Sequence, residues 1–198
     1  YSTYYYAKIT SRLLNNLGIN INYAPTLDLS INLNNPVIYK AERSYGRQPN
    51  HVISHARSFI LSHREDSVIT VIKHFPGHGS SDEDTHLEVT DISDSWLVEE
   101  IYPYKYLIDS GLVDAIMSAH VVNKQLDEEM LPSTLSNKVI NGLLRNFLGY
   151  KGVVFSDDMQ MQAITKYFGL ESAIEKSINA GVDILLFSNN QLLSLIHI

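Results

Sequence analysis

The chain has 198 residues, 44% of them hydrophobic and 19% charged, the composition of an ordinary globular protein and not of a disordered or fibrous one. A formal net charge of −7 argues against a nucleic-acid partner, because phosphates call for a basic patch and the sequence has none. The absence of cysteine excludes disulfides, thiolate zinc sites and cysteine nucleophiles, and no apolar run approaches the roughly 18 to 20 residues that span a bilayer.

The chain opens on Tyr-Ser-Thr-Tyr-Tyr-Tyr with no initiator Met, like a helix entered partway, so a signal peptide would lie outside it. The Tyr cluster reads as helix packing and takes no functional role. Ala7, Ile9, Leu13, Leu14 and Leu17 follow helical spacing up to Gly18, a natural left-handed cap, and residues 19–27 then read as a strand ending at Asp28. Residues 51–63 carry a second amphipathic pattern (Val52, Ile53, Ala56, Phe59, Ile60), and residues 68–72 are an apolar β-branched run. Helical segments at 97–109, 137–148 and 171–179 each close on a glycine (Gly111, Gly149, Gly181), and each is followed by an apolar strand, at 112–117, 153–155 and 182–187.

Five strands thus alternate with helices, and the strands are continuous apolar runs, as in a parallel sheet covered on both faces. The fold class is α/β. No G-x-G-x-x-G turn follows a strand, which argues against a dinucleotide fold. Instead the strands end in polar groups: Asp28, Lys73-His74, Ser118-Ala119-His120, Ser156-Asp157-Asp158 and Ser188-Asn189. Chemistry gathered from many strand ends is the habit of the (β/α)8 barrel, whose complete form runs to about 250 residues. The expectation is a TIM-type partial barrel lacking N-terminal strands and the last strand, with a catalytic domain over residues 1–190 and a tail of uncertain origin over 191–198.

The richest stretch is Lys73-His74-Phe75-Pro76-Gly77-His78-Gly79 and the residues after it up to His86. Asp84 and His86 stand at i and i+2, which in an extended segment points both side chains the same way. The carboxylate can hold one imidazole nitrogen while the other moves a proton near neutral pH; the bland reading is an acidic solvated loop. Asp157 sits at the mouth of a buried strand as a candidate nucleophile or ligand, with Asp158 beside it, and one of the two could equally cap the helical pattern that follows. Lys73, His74 and Arg43 could bind hydroxyls, although an Arg on a loop is more often a surface ion pair. His120 is either a site residue or a satisfied core histidine, whereas His51, His55, His63 and His197 read as helix or chain-end residues.

Lys73 to Gly79, four residues, then Asp84-Thr85-His86 resembles the signature K-H-F-P-G-H-G-x4-D-[ST]-H of family 3 glycoside hydrolases, in the β-N-acetylhexosaminidase branch. Asn22-Tyr23-Ala24-Pro25-Thr26-Leu27-Asp28, Arg43-Ser44-Tyr45-Gly46, Met117-Ser118-Ala119-His120, Leu131-Pro132-Ser133-Thr134-Leu135-Ser136 and Gly152-Val153-Val154-Phe155-Ser156-Asp157-Asp158-Met159 look like that family in its order. The resemblance implies a retaining hydrolase of terminal β-linked N-acetylglucosamine, typically in peptidoglycan fragments. It makes Asp157 the nucleophile and His86 the acid/base oriented by Asp84, and it gives Arg43, Lys73 and His74 to the sugar. It implies no cofactor and no metal, a carbohydrate partner and a monomer, and it leaves open both phosphorolysis and the compartment, with the bacterial cytoplasm favoured over the periplasm. Gln48 departs from the Asp-Pro often found in relatives. The family's early Gly-rich sugar-binding segment and last strand are absent, so the fragment alone is expected to be inactive. Two other readings stand beside this one: a metal-dependent barrel hydrolase using His74, His78, His86, His120 and Asp157, and a non-catalytic sugar-binding descendant.

Overall fold

The structure is a computed structural model that describes residues 2–82 and 89–187. Helix α1 (Ser2–Asn16) lies against α2 (Pro49–Arg64), and the face it buries carries Ala7 and Ser11. The helical spacing of the apolar residues holds, but Ile9, Leu13 and Leu17 are exposed. Small residues at the contact let the two helices approach closely, and the Ser11 hydroxyl donates to Asp66 at 2.6 Å.

Strand β1 is only Ile21–Asn22, shorter than the run at 19–27 suggests, because Pro25 has no N–H for the ladder. The chain rejoins the sheet at Thr26, which bridges Lys73 on β2 (Ile69–Phe75). A short β3 (Thr90–Asp91) precedes a 3-10 turn over Val98–Ile101, which runs directly into α3 (Tyr102–Asp109) with Pro103 in its first turn. Next come β4 (Ala115–Ser118) and β5 (Val121–Val122), then a π-helix over Lys138–Phe147 where an α-helix was expected. Strand β6 (Val153–Asp158), α4 (Gln162–Phe168), α5 (Leu170–Ala180) and β7 (Ile184–Leu186) complete the described chain.

The main sheet has five strands in the order β1-β2-β4-β6-β7, all parallel. It curls into a half-barrel, as the sequence pattern predicts for a partial TIM-type fold. Short β3 and β5, absent from the sequence reading, pair with each other at the carboxyl end of the sheet. Their two-residue length gives no periodicity to read.

The two faces of the sheet carry different cores. Ile72, Phe75, Ile116 and Val154 face the helices and pack with Val52, Ala56, Ile60, Tyr104, Leu107 and Leu144. Val71, Ala115, Met117 and Phe155 fill the inside of the curl with Ile21 and Leu186. Because side chains alternate along a strand, Lys73 and Asp157 follow Val71 and Phe155 at i+2 on the inner face. The fold thereby carries both to the mouth of the half-barrel.

Candidate active site

Strand β2 ends in the turn Pro76-Gly77-His78-Gly79, and its geometry explains the residue types in the motif. A Cβ on Gly79 would lie 1.8 Å from the Leu29 carbonyl oxygen, and one on Gly77 would lie 2.6 Å from Glu100 Cβ. Gly77 also has φ of 119°, a region that other residues rarely adopt. The Trp96 indole N–H donates to the Pro76 carbonyl at 3.2 Å, and Asn35 Nδ2 donates to the His78 carbonyl at 2.8 Å. The Lys73–His74 and Phe75–Pro76 peptide bonds are cis.

Asp28, fully buried at the end of the first strand segment, organises this turn. Its Oδ1 accepts the His78 backbone N–H at 2.8 Å and its Oδ2 accepts His74 Nδ1–H at 2.7 Å. Burial pushes the Asp28 carboxyl up, but His74 and the His78 N–H outweigh it and hold the group below its usual value. The other His74 nitrogen, Nε2, lies 3.3 Å from Arg43 Nη2. A guanidinium only donates and a carboxylate only accepts, so the His74 ring carries its proton on Nδ1 and presents a lone pair to Arg43. Arg43 is tethered in turn by donation from Nη1 to the Val37 carbonyl at 3.1 Å. It is therefore no surface ion pair.

Asp157 ends the inner face of β6, where its Oδ1 accepts the Asp158 N–H at 2.8 Å. Burial alone would raise its pKa; the nearby imidazoles of His74 and His120, that N–H and the Lys73 ammonium reverse the effect and keep it lowered. Lys73 is itself lowered by burial and by Arg43, with Asp157 and Asp28 opposing. The two adjacent aspartates have separate tasks. Asp158 Oδ1 accepts the Gln160 N–H at 3.0 Å and closes the turn after the strand, while neither aspartate caps α4, which begins after Met161.

His120 Nε2 lies 3.0 Å from the Asp158 carbonyl and Nδ1 lies 2.9 Å from Thr134 Oγ1. The carbonyl can only accept, so Nε2 carries the proton, and burial lowers the ring's pKa. His120 is thus a satisfied buried residue that fixes the backbone of Asp158. His63, on α2, is likewise buried and bonded to Asn22 and the Phe59 carbonyl.

The structure brings Arg43, Lys73, His74 and Asp157 to one end of the sheet, in mutual electrostatic contact. Asp84 and His86 lie outside the described residues, as do Ser188, Asn189 and the tail at 191–198. Both His74 nitrogens are engaged by Asp28 and Arg43, and His78 Nδ1 sits 2.7 Å from Ser81 Oγ with burial pushing its pKa down to about 4. Among the described residues no three His, Asp or Glu side chains are grouped to hold a metal ion; His86 of the metal-hydrolase reading lies outside them.

Sequence reasoning gave no role to Asp28, Asn35 or Glu100, all buried beside the turn. Asp28 carried a visible signal, as an acid at a strand end. Asn35 and Glu100 carried none, since one sits on an irregular loop and the other within a helical pattern.

Comparisons with known proteins converge on one family. The Beta-hexosaminidase A of Pseudoalteromonas piscicida is 34% identical over 198 residues, covering 92% of this chain and 33% of that protein. The Beta-hexosaminidase of Tolumonas auensis is 36% identical over 176 residues, covering 87% of this chain and 51% of that one. The chain therefore spans between a third and about half of these relatives. A solved glycoside hydrolase family 3 beta-N-acetylglucosaminidase from Paenibacillus sp. str. FPU-7 superposes with a TM-score of 0.87 at 39% identity, covering 94% of this chain and 35% of that one. The model of the glycosyl hydrolase family 3 N terminal domain matches residues 3–197, and with the half-barrel and its strand-end cluster already placed, the chain belongs to that family.

Proposed function

We propose that this chain is the catalytic domain, over residues 1–190, of a retaining glycoside hydrolase that removes terminal β-linked N-acetylglucosamine, with Asp157 as nucleophile. The observation that carries the reading is Asp157 itself: a part-buried carboxylate at the barrel mouth, held below its usual pKa by the His74 and His120 imidazoles, the Asp158 N–H and the Lys73 ammonium. An ionised carboxylate that is only partly exposed to water is a competent nucleophile toward an anomeric carbon. Lys73 and Arg43 supply donors for sugar hydroxyls, and His74, its nitrogens held by Asp28 and Arg43, supplies an oriented ring beside them. Names of the related hexosaminidases support the acetamido sugar as substrate, and peptidoglycan fragments are the proposed source.

In this mechanism Asp157 attacks the anomeric carbon as the bond to the leaving oxygen breaks, forming a glycosyl ester. His86, paired with Asp84, gives its proton to that oxygen. The same His86 then takes a proton from the water that attacks the anomeric carbon, which releases the sugar and restores Asp157. A His–Asp pair thus replaces the second carboxylate of the usual two-carboxylate plan. The protein is proposed to act as a monomer, without a metal or cofactor.

The test uses the complete polypeptide that carries this sequence. It should hydrolyse an aryl β-N-acetylglucosaminide in preference to the β-glucoside, and a mechanism-based 2-acetamido fluoro sugar should label Asp157. Asp157→Ala should lose turnover and label together; near-wild-type turnover rules out the assignment. His86→Ala should cost far less on activated aryl leaving groups, which hardly need protonation, than on alkyl ones. Equal losses on both would remove the acid/base role, and sugar phosphate formed on adding inorganic phosphate would replace hydrolysis by phosphorolysis.

A further inference from the structure

The buried acid on the 3-10 turn before α3 has no part in the chemistry above. Glu100 is 1% exposed. Its Oε2 accepts the backbone N–H of Gly79 at 2.9 Å, and its Oε1 has no hydrogen-bond partner among the described residues. The preceding amide, that of His78, donates to Asp28 at 2.8 Å. Two consecutive N–H groups of the glycine turn are therefore held by two different buried carboxyl groups, one on each side of the strand end. Glu100 also fills the space that a side chain at Gly77 would need.

We propose that Glu100 is a positioning residue for the proposed hydrolysis: it clamps the Gly77–Gly79 turn, and through the turn and Asp28 it holds His74 where the sugar binds. The inference rests on the functional reading above for its kinetic consequence, not for its geometry. Moving Gly79 away from Glu100 moves the adjoining His78 amide off Asp28 Oδ1, and Asp28 then loses its shortest backbone bond and keeps only the longer contacts, at 3.3 Å, from the His74 N–H to hold the carboxyl in place. The two acids cannot both be ionised at low cost in this setting. Asp28 keeps the charge, while burial, reinforced by Asp28, pushes Glu100 up to about 8. The other titratable group facing it is Tyr104, from α3, pushed well above its usual value by burial and by both acids. Glu100 accordingly holds the turn as a neutral acid near neutral pH.

The test compares wild type, Glu100→Ala and Glu100→Gln in the complete polypeptide. The amide of Gln keeps an oxygen for the Gly79 N–H and carries no charge. Glu100→Ala should lower kcat/KM on an aryl β-N-acetylglucosaminide by roughly 10-fold or more, chiefly through KM, and Glu100→Gln should restore most of it. Wild-type kcat/KM should fall as pH rises through about 8, and Glu100→Gln should lack that limb. Independently of activity, the strongly hydrogen-bonded His74 Nδ1–H should give a downfield proton resonance that Glu100→Gln keeps and Glu100→Ala shifts or loses. Where Glu100→Ala does not fold, Glu100→Asp serves, since the shorter chain draws the acceptor away from Gly79. An unchanged resonance and unchanged KM in folded Glu100→Ala or Glu100→Asp overturn the inference. A wild type that hydrolyses no hexosaminide overturns the functional reading instead, and the His74 resonance then decides the Glu100 inference alone.

Discussion

Asp28 shows how one buried charge can set the chemistry of a neighbour it does not share a strand with. One oxygen is occupied by the His78 N–H, so the other is committed to His74. In Asp28→Asn the amide oxygen would stay with the His78 N–H and the NH2 group would face His74 Nδ1. The ring proton would then have to move to Nε2, where it meets the Arg43 guanidinium. A hydrogen bond to a charged group contributes about 1.5 to 3 kcal/mol, so Asp28→Asn should reduce kcat/KM by about 10- to 150-fold. Steady-state kinetics on an aryl β-N-acetylglucosaminide checks this, and a change under threefold would show that the His74 tautomer does not matter for the reaction.

At the level of elements, the loop after β2 is shaped by main-chain contact more than by side chains. Gly79 lies against the backbone of Leu29, not against a flexible side chain that could swing away. Gly79→Ala therefore forces strand ends apart and should destabilise by about 3 kcal/mol, the upper end of overpacking costs, read as a loss in unfolding free energy by urea titration. Gly18→Ala, with open space around it, has only its positive φ to pay for. The alternation of helices and apolar strands was legible in the sequence because burial on both faces leaves uninterrupted β-branched runs. The strand-end cluster was legible because Lys73, His74 and Asp157 are polar residues placed where apolar runs stop. Asn35 and Glu100 were not legible, because their roles come from long-range contacts to one turn and local periodicity carries no information about those. Helix α1 was read with the right period, but its spacing did not show that it packs through Ala7 and Ser11 and leaves its larger apolar residues outside. The π-helical winding at Lys138–Phe147 likewise has no signature in apolar spacing.

For the whole molecule, the buried titratable groups set opposing pH dependences. His78 falls from 6.5 to about 4, so below 6.5 its unfolded form binds a proton that the folded form refuses, and stability drops as pH falls. His63 and His120, also lowered by burial, act in the same direction. Glu100 rises from 4.5 to about 8, so the folded form keeps a proton that the unfolded form has released, and stability drops as pH rises through that window. Three histidines outweigh one acid below 6.5, and the acid acts unopposed by them above it. The melting temperature should therefore peak near pH 6.5 and decline toward both pH 4 and pH 8, and Glu100→Gln should remove the alkaline decline; a melting temperature rising steadily to pH 8 would refute the balance.

The order of the main sheet has a different kind of consequence. From β1 through β2, β4 and β6 to β7, each strand pairs with the main-sheet strand made just before it. During synthesis, at about 5 to 20 residues per second, each strand leaves the ribosome with its partner already outside. The sheet can then grow vectorially, one βα unit at a time, with a single fresh edge exposed at each stage. Assembly in the cell is in this sense paced by translation, and no strand has to wait for a distant part of the message to be read.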